Sequence, residues 1–236
     1  MKTIGLLGGM SWQSTMSYYR ALNEGVNKTL GGLHSARITL HSVDFHDVEH
    51  AQGRNDWVHG GEQLAQAARL VEAGGADFLL LFSNTMHKVA PAVENAVSIP
   101  LLHIADATAE SLVSRHFKRV GLLGTQYTMT QNFYQGRLLD HFGLDVLIPE
   151  AQHREQIHQI IYDELCHGEI KPSSRQTFLE AITWLREHGA ESVILGCTEI
   201  ALLLDQSHTD MPLYDSAALH AESAVRLALR EELQTS

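Results

Sequence analysis

Two short clusters carry the residue types from which proton-transfer chemistry is built. Ser83-Asn84-Thr85-Met86-His87 follows the apolar run Phe78–Phe82, and Cys197-Thr198-Glu199 follows the apolar run Ser192–Gly196. A thiol ionises near pH 8.5 when unperturbed, so a cysteine can serve as base or acid near neutrality. A serine hydroxyl can donate a proton but is a far weaker base. Both clusters sit where a buried parallel strand ends, and ligands of open α/β sheets bind outside the carboxyl ends of the strands. The backbone N–H groups that follow such strands can hold a carboxylate.

Two further turns have matching character. Gly5-Leu6-Leu7-Gly8-Gly9-Met10 supplies glycines that let backbone approach a ligand closely, and Thr125-Gln126-Tyr127-Thr128 supplies hydroxyl donors. The first lacks the G-x-G-x-x-G spacing of a dinucleotide site. Other reactive residues have plainer explanations. His41-Ser42-Val43-Asp44-Phe45-His46 mixes imidazole and carboxylate, but an extended strand points His41 and Asp44 to opposite faces and no second cluster completes a metal shell. No metal site is therefore expected. Lys88 reads as a helix-start lysine facing solvent, Arg54 as a loop charge or a substitute substrate clamp, and Cys166 as a packed thiol on an amphipathic segment. The 15 histidines form no tract; His87 is expected to position the turn that it closes.

These turns need strands and helices to hold them. Apolar runs predict strands at Thr3–Leu7, Ile38–Val43, Phe78–Phe82, Pro100–Ile104, Val120–Leu123, Val146–Ile148, Ser192–Leu195 and Leu213–Tyr214. Several are continuously apolar, as strands covered on both faces are. Helical periodicity marks Trp57–Ala73, which stops at Gly74-Gly75, Ser173–His188, which stops at Gly189, and Ser216–Leu233. Alternating strands and helices predict an α/β fold with mainly parallel sheets.

The same unit occurs twice. Ile4-Gly5-Leu6-Leu7-Gly8 is echoed by Val120-Gly121-Leu122-Leu123-Gly124 at an offset of 116; Ser83 is echoed by Cys197 at 114, and Ile99-Pro100-Leu101 by Met211-Pro212-Leu213 at 112. Parallel α/β strands resemble one another in any case, yet three pairs at nearly one spacing favour a duplication. Two pseudo-symmetric lobes follow, each a mainly parallel sheet flanked by helices, with an active site expected in the cleft between them. Their expected bounds are 1–103 plus 213–236, and 104–212.

The formal charge of −11, with only 17 basic residues and no basic stripe, argues against a nucleic-acid partner. Two cysteines in 236 residues argue against a disulfide scaffold and favour a reducing compartment. The apolar start breaks at Gly8-Gly9, which disfavours a signal peptide, and no apolar run is long enough to span a bilayer. A soluble cytoplasmic protein is expected.

Gly8-Gly9-Met10, Asn84-Thr85-x-His87 and Gly196-Cys197-Thr198-Glu199 together resemble the aspartate/glutamate racemase family over essentially the whole chain, with most similarity to its broad-specificity bacterial amino-acid racemases. The resemblance implies an isomerase that needs no cofactor, pyridoxal phosphate included, acts on a small-molecule amino acid and forms a homodimer. In the family two cysteines flank Cα, one removing a proton from one face and the other supplying one to the opposite face. The resemblance makes Cys197 the thiolate base and Ser83 the occupant of the first cysteine position. It also implies substrate contacts from Gly9, Met10, Gln52, Asn84, Thr85, Thr125, Thr128, Thr198 and Glu199.

Ser83 departs from the family pattern. Three origins fit it: an asymmetric racemase, a relative with one-cysteine chemistry, or a substituted chain. Cys166 stands where aspartate-selective relatives carry a basic residue, and this favours broader specificity, because strict selection of a side-chain carboxylate wants a charge-assisted partner. The alternatives are a single-cysteine decarboxylase or maleate-type isomerase of the same superfamily, a hydantoin racemase, and an amino-acid-binding protein without catalysis.

Overall fold

The computed structural model describes residues 1–230. The described chain divides into two compact units, one of Met1–Ile104 with residues 220–230, the other of Ala105–Leu219. The first holds β1 (Ile4–Gly8), β2 (Ile38–Ser42), β3 (Phe78–Leu81) and β4 (Leu101–Leu102) in the order β2-β1-β3-β4. The second holds β5 (Arg119–Gly124), β6 (Asp145–Leu147), β7 (Ser192–Gly196) and β8 (Leu213–Asp215) in the order β6-β5-β7-β8. Every strand pair is parallel. This is the expected α/β class, two parallel four-stranded sheets flanked by helices.

The repeat seen in the sequence is a repeat of hydrogen-bond register. Leu7 is opposite Leu81 in the first sheet, and Leu123 is opposite Leu195 in the second. Leu79 pairs with Leu101, and Val193 with Leu213. Each pair maps onto its counterpart at the offsets of 116, 114 and 112. Glycine is placed alike in both units. A Cβ on Gly5 would lie 2.6 Å from Val71 Cγ1, and one on Gly121 would lie 2.8 Å from Leu185 Cδ1. At each place a helix, Trp57–Ala73 or Pro172–Glu187, packs directly onto the first strand of its unit.

The apolar runs behave as buried strands should. β1, β3 and β7 are buried along their whole length. Leu7, Leu64, Ala68, Val71, Leu79, Leu81 and Met86 form the core of the first unit. Each fully buried leucine there contributes about 1.5–3 kcal/mol of transfer free energy. β2, by contrast, is only part-buried, because it ends the sheet. Asp56 caps the Trp57–Ala73 helix by accepting from the His59 N–H at 3.1 Å. Among the described residues no helix is long and apolar enough to cross a membrane.

Several expectations change. Leu213–Asp215 hydrogen-bonds to β7, so the second unit extends to Leu219 and not to 212. The extended strand expected at Ile38–Val43 stops at Ser42, and Asp44 caps a helix, Phe45–Gly53, through the His46 N–H at 3.0 Å. His41 and His46 therefore lie on different elements. Among the described residues no group of three metal-binding side chains forms. The final helix runs Ser216–Leu229, and positions 231–233 of its expected span lie outside the described residues.

Candidate functional site

The chemistry expected of each unit is built at the end of its third strand. β3 leads through Phe82 to Ser83, and a 3-10 turn, Thr85–Val89, begins at once. The Ser83 hydroxyl oxygen accepts the Met86 N–H at 3.2 Å. That bond uses a lone pair and leaves the hydroxyl hydrogen available for donation. Ser83, Asn84 and Thr85 are all buried, with Ser83 at 9% exposure. Gln52, on the Phe45–Gly53 helix, is buried beside them and donates from Nε2 to Met86 Sδ at 2.8 Å. A thioether is a weak acceptor, so exchanging it for a substrate oxygen costs little.

The glycine turn after β1 is occupied differently. Gly9 has φ +96°, and a Cβ there would lie 2.2 Å from Val43 O, so only glycine fits. Its N–H donates to Thr15 Oγ1 at 2.8 Å, and the Met10 side chain packs into the core of the first unit. The glycine is required by the turn, and its N–H is engaged within the protein.

In the second unit β7 delivers Cys197, and the carboxylate two residues on is turned back onto it. Cys197 Sγ donates to Glu199 Oε2 at 3.1 Å, and Thr198 Oγ1 donates to the same oxygen at 2.6 Å. Cys197 and Glu199 are buried, at 7% and 3% exposure. Burial first, then the Glu199 charge and then Cys166 hold the Cys197 thiol well above its ordinary range. These surroundings favour the protonated form of Cys197, and its Sγ hydrogen is directed at Glu199 Oε2. Glu199 Oε2 is thus shared between the Cys197 sulfur and the Thr198 hydroxyl.

Cys166 belongs to the same neighbourhood. It lies in the 3-10 turn Leu165–His167, and burial followed by the Glu199 charge pushes its thiol up to about 12. Thr125 caps the Gln126–Thr130 helix by accepting the Thr128 N–H at 3.3 Å, and the two hydroxyls lie 3.2 Å apart. A Cβ on Gly196 would lie 3.5 Å from Thr128 Cγ2, so this capped turn adjoins the strand end that carries Cys197.

Lys88 does not simply face solvent. Its Nζ lies 3.8 Å from the centroid of the Trp57 ring, and burial lowers its pKa. Arg54 is exposed beyond the Phe45–Gly53 helix. Three side chains that sequence reasoning missed belong to the frame of the first site. Thr15 ties the Gly9 turn, and Tyr18, whose ring stacks on Phe82, pairs with His220, their Oη and Nδ1 3.1 Å apart. His220 carried no local signal, because a histidine inside an amphipathic C-terminal helix reads as one more polar position.

A family model described as Asp/Glu/hydantoin racemase matches residues 7–224, and the chain belongs to that family. Among its relatives is the broad-specificity amino-acid racemase RacX of Bacillus subtilis, 26% identical over 94% of this chain and 96% of its own. The crystal structure of a candidate Asp/Glu racemase from Yersinia pestis is 46% identical, with a TM-score of 0.90 over 97% of this chain and 100% of that one. An aspartate racemase homologue from Pyrococcus horikoshii is 32% identical, with a TM-score of 0.82 over 97% and 99%.

Proposed function

We propose that this chain is an amino-acid racemase that inverts Cα by moving protons, with Cys197 and Ser83 acting on opposite faces and no pyridoxal phosphate required. The observation that carries the reading is the buried Cys197–Glu199 hydrogen bond at the end of β7. In the L-to-D direction Cys197 passes its thiol proton to Glu199, and the thiolate then removes the Cα proton. Ser83 delivers its hydroxyl hydrogen to the other face. Glu199 returns its proton to solvent and Ser83 takes one back, so protons balance over a turnover. Acid and base each need hydrogen-bonding reach of Cα. The carbanion needs its carboxylate held by fixed donors, because negative charge develops there. Gln52, Asn84, Thr85 and Thr198 are the proposed donors, together with backbone N–H groups of the two strand-end turns.

The proposed specificity is broad, since the donors named are neutral amides and hydroxyls with no cation dedicated to a side-chain carboxylate. The name of the Bacillus relative agrees with that reading. The proposal includes a cytoplasmic homodimer, for which light scattering gives the oligomeric state. Proton NMR in D₂O with a panel of L-amino acids tests the activity. Loss of the Cα–H signal, with D-isomer appearing by chiral chromatography, is the expected result. Full retention of Cα–H across the panel overturns it.

One observation favours a second reading. A thiol held protonated is a good donor, as a single-cysteine decarboxylase or isomerase requires when it protonates an enolate-like intermediate. Turnover of malonate- or maleate-type diacids, with amino acids left untouched, would select that reading.

A further inference from the structure

We infer that His87 and His220 are positioning residues, both neutral and fixed in opposite tautomers, that brace the Ser83 turn from beneath and so set the direction of its hydroxyl. The inference rests on the reading of Ser83 as a proton-transfer group. The tautomers follow from the partners. The Ile104 N–H can only donate, and it donates to His87 Nε2 at 3.2 Å. His87 Nε2 therefore carries no hydrogen. Its Nδ1 carries it instead and donates to the Ser83 carbonyl oxygen at 2.7 Å. A carbonyl can only accept, so His220 Nε2, 2.8 Å from Leu102 O, carries a hydrogen and donates it. His220 Nδ1 then accepts from the Tyr18 hydroxyl at 3.1 Å.

The two rings thereby fasten the strand end to the last residue of β4 and to Ile104 just beyond it. His87 joins Ser83 to Ile104. His220 joins Leu102 to Tyr18, whose ring stacks on Phe82 at 3.7 Å between centroids. Residues 82 and 83 are thus held from two sides. His87 is 2% exposed and His220 fully buried, so water does not compete for these bonds. With the Ser83 carbonyl held by His87 and its Oγ accepting from Met86 N–H, the hydroxyl oxygen is held in place and its hydrogen is confined to the positions that the accepted bond leaves open. Imidazole ordinarily favours the Nε2–H tautomer, so the Nδ1–H form of His87 is imposed by the fold and identifies the bond to Ser83.

Two measurements on the full chain test this. Long-range ¹⁵N–¹H NMR should show His87 protonated on Nδ1 and His220 on Nε2; Nε2 protonation of His87 overturns the inference. The second is a kinetic cycle. His87→Gln should lower kcat for deuterium exchange into the D-isomer by about tenfold with KM unchanged, and exchange into the L-isomer by no more than about twofold. Tyr18→Phe, which removes one hydroxyl and keeps the ring, should reproduce the direction of the effect at about two- to threefold. In a Ser83→Ala background both substitutions should add nothing further. An equal loss from His87→Gln in both backgrounds overturns the positioning role and leaves the racemase reading intact. A silent Ser83→Ala overturns the role of Ser83 in proton transfer, and the inference falls with it.

Discussion

Glu199 Oε2 lies 3.1 Å from Cys197 Sγ and accepts its hydrogen, with the Thr198 hydroxyl bound to the same oxygen. A carboxylate so placed can take a thiol proton. It would repel a substrate carboxylate. Glu199→Gln keeps the size and an acceptor oxygen but removes the base. We expect kcat to fall by about 10²–10⁴, the range for loss of acid–base catalysis, with KM changed little. A rise in KM at constant kcat would place Glu199 on the substrate instead.

A raised Cys197 pKa has a chemical signature. Alkylation by iodoacetamide should be slow at neutral pH and accelerate into the alkaline range, because only the thiolate reacts. Glu199→Gln removes the charge that helps hold the thiol up, so the profile should move to lower pH. Cys197→Ala should abolish racemisation, whereas Cys166→Ala should leave kcat within about threefold. Fast alkylation of Cys197 at pH 7 in the unmodified chain contradicts this account.

Both thiols also make stability depend on pH. Their folded pKa values are raised, so between the unfolded and folded values the native state holds more protons than the unfolded one. Stability is then complete below the unfolded thiol pKa of about 8.5 and declines above it. Each thiol contributes a slope of up to about 1.4 kcal/mol per pH unit. Urea unfolding at pH 7.5 and 9.5 measures it, and Cys166→Ala should reduce the loss.

His220 acts at the other end of the scale. Burial lowers its pKa to about 4, so the unfolded chain binds a proton more readily. The contribution to stability is present above the unfolded value of about 6.5 and is lost as pH falls from there toward 4. For this fully buried ring it amounts to about 3 kcal/mol. His220→Gln should flatten the decline between pH 6.5 and 4. An unchanged slope would show that other groups govern acid unfolding.

Gly5 tests the close packing of the first unit. A Cβ there would lie 2.6 Å from Val71 Cγ1 and 2.9 Å from the Phe78 carbonyl oxygen. The backbone atom cannot rotate away, so Gly5→Ala should destabilise by about 1–3 kcal/mol, seen as a lower urea midpoint at constant m-value. Wild-type stability would show that the helix can retreat.

The strands and their duplication were legible because fully buried parallel strands are written as continuous apolar runs, and β1, β3, β5 and β7 were each found that way. The helix Phe45–Gly53 was not, since its apolar residues are sparse and His41 to His46 reads equally well as strand. Cys197 could be found as a thiol at a strand end, but the rise in its pKa depends on burial and on a carboxylate folded back by the turn, neither of which a linear pattern records. Gly9 shows the same limit. Its presence was readable, while the bond from its N–H to Thr15 depends on how the following helix enters. His220 lies over a hundred positions from Leu102, and no local rule connects them.

Because the two sheets share one register, the molecule carries its own reference experiment. Any substitution at Gly5, Leu81 or Ser83 has a counterpart at Gly121, Leu195 or Cys197, in a frame with the same strand order and pairing. A change made once in each half compares one chemical alteration in two neighbourhoods of a single polypeptide. The difference between the two responses then isolates what the neighbourhood in each half contributes, a comparison that in ordinary proteins requires a second gene.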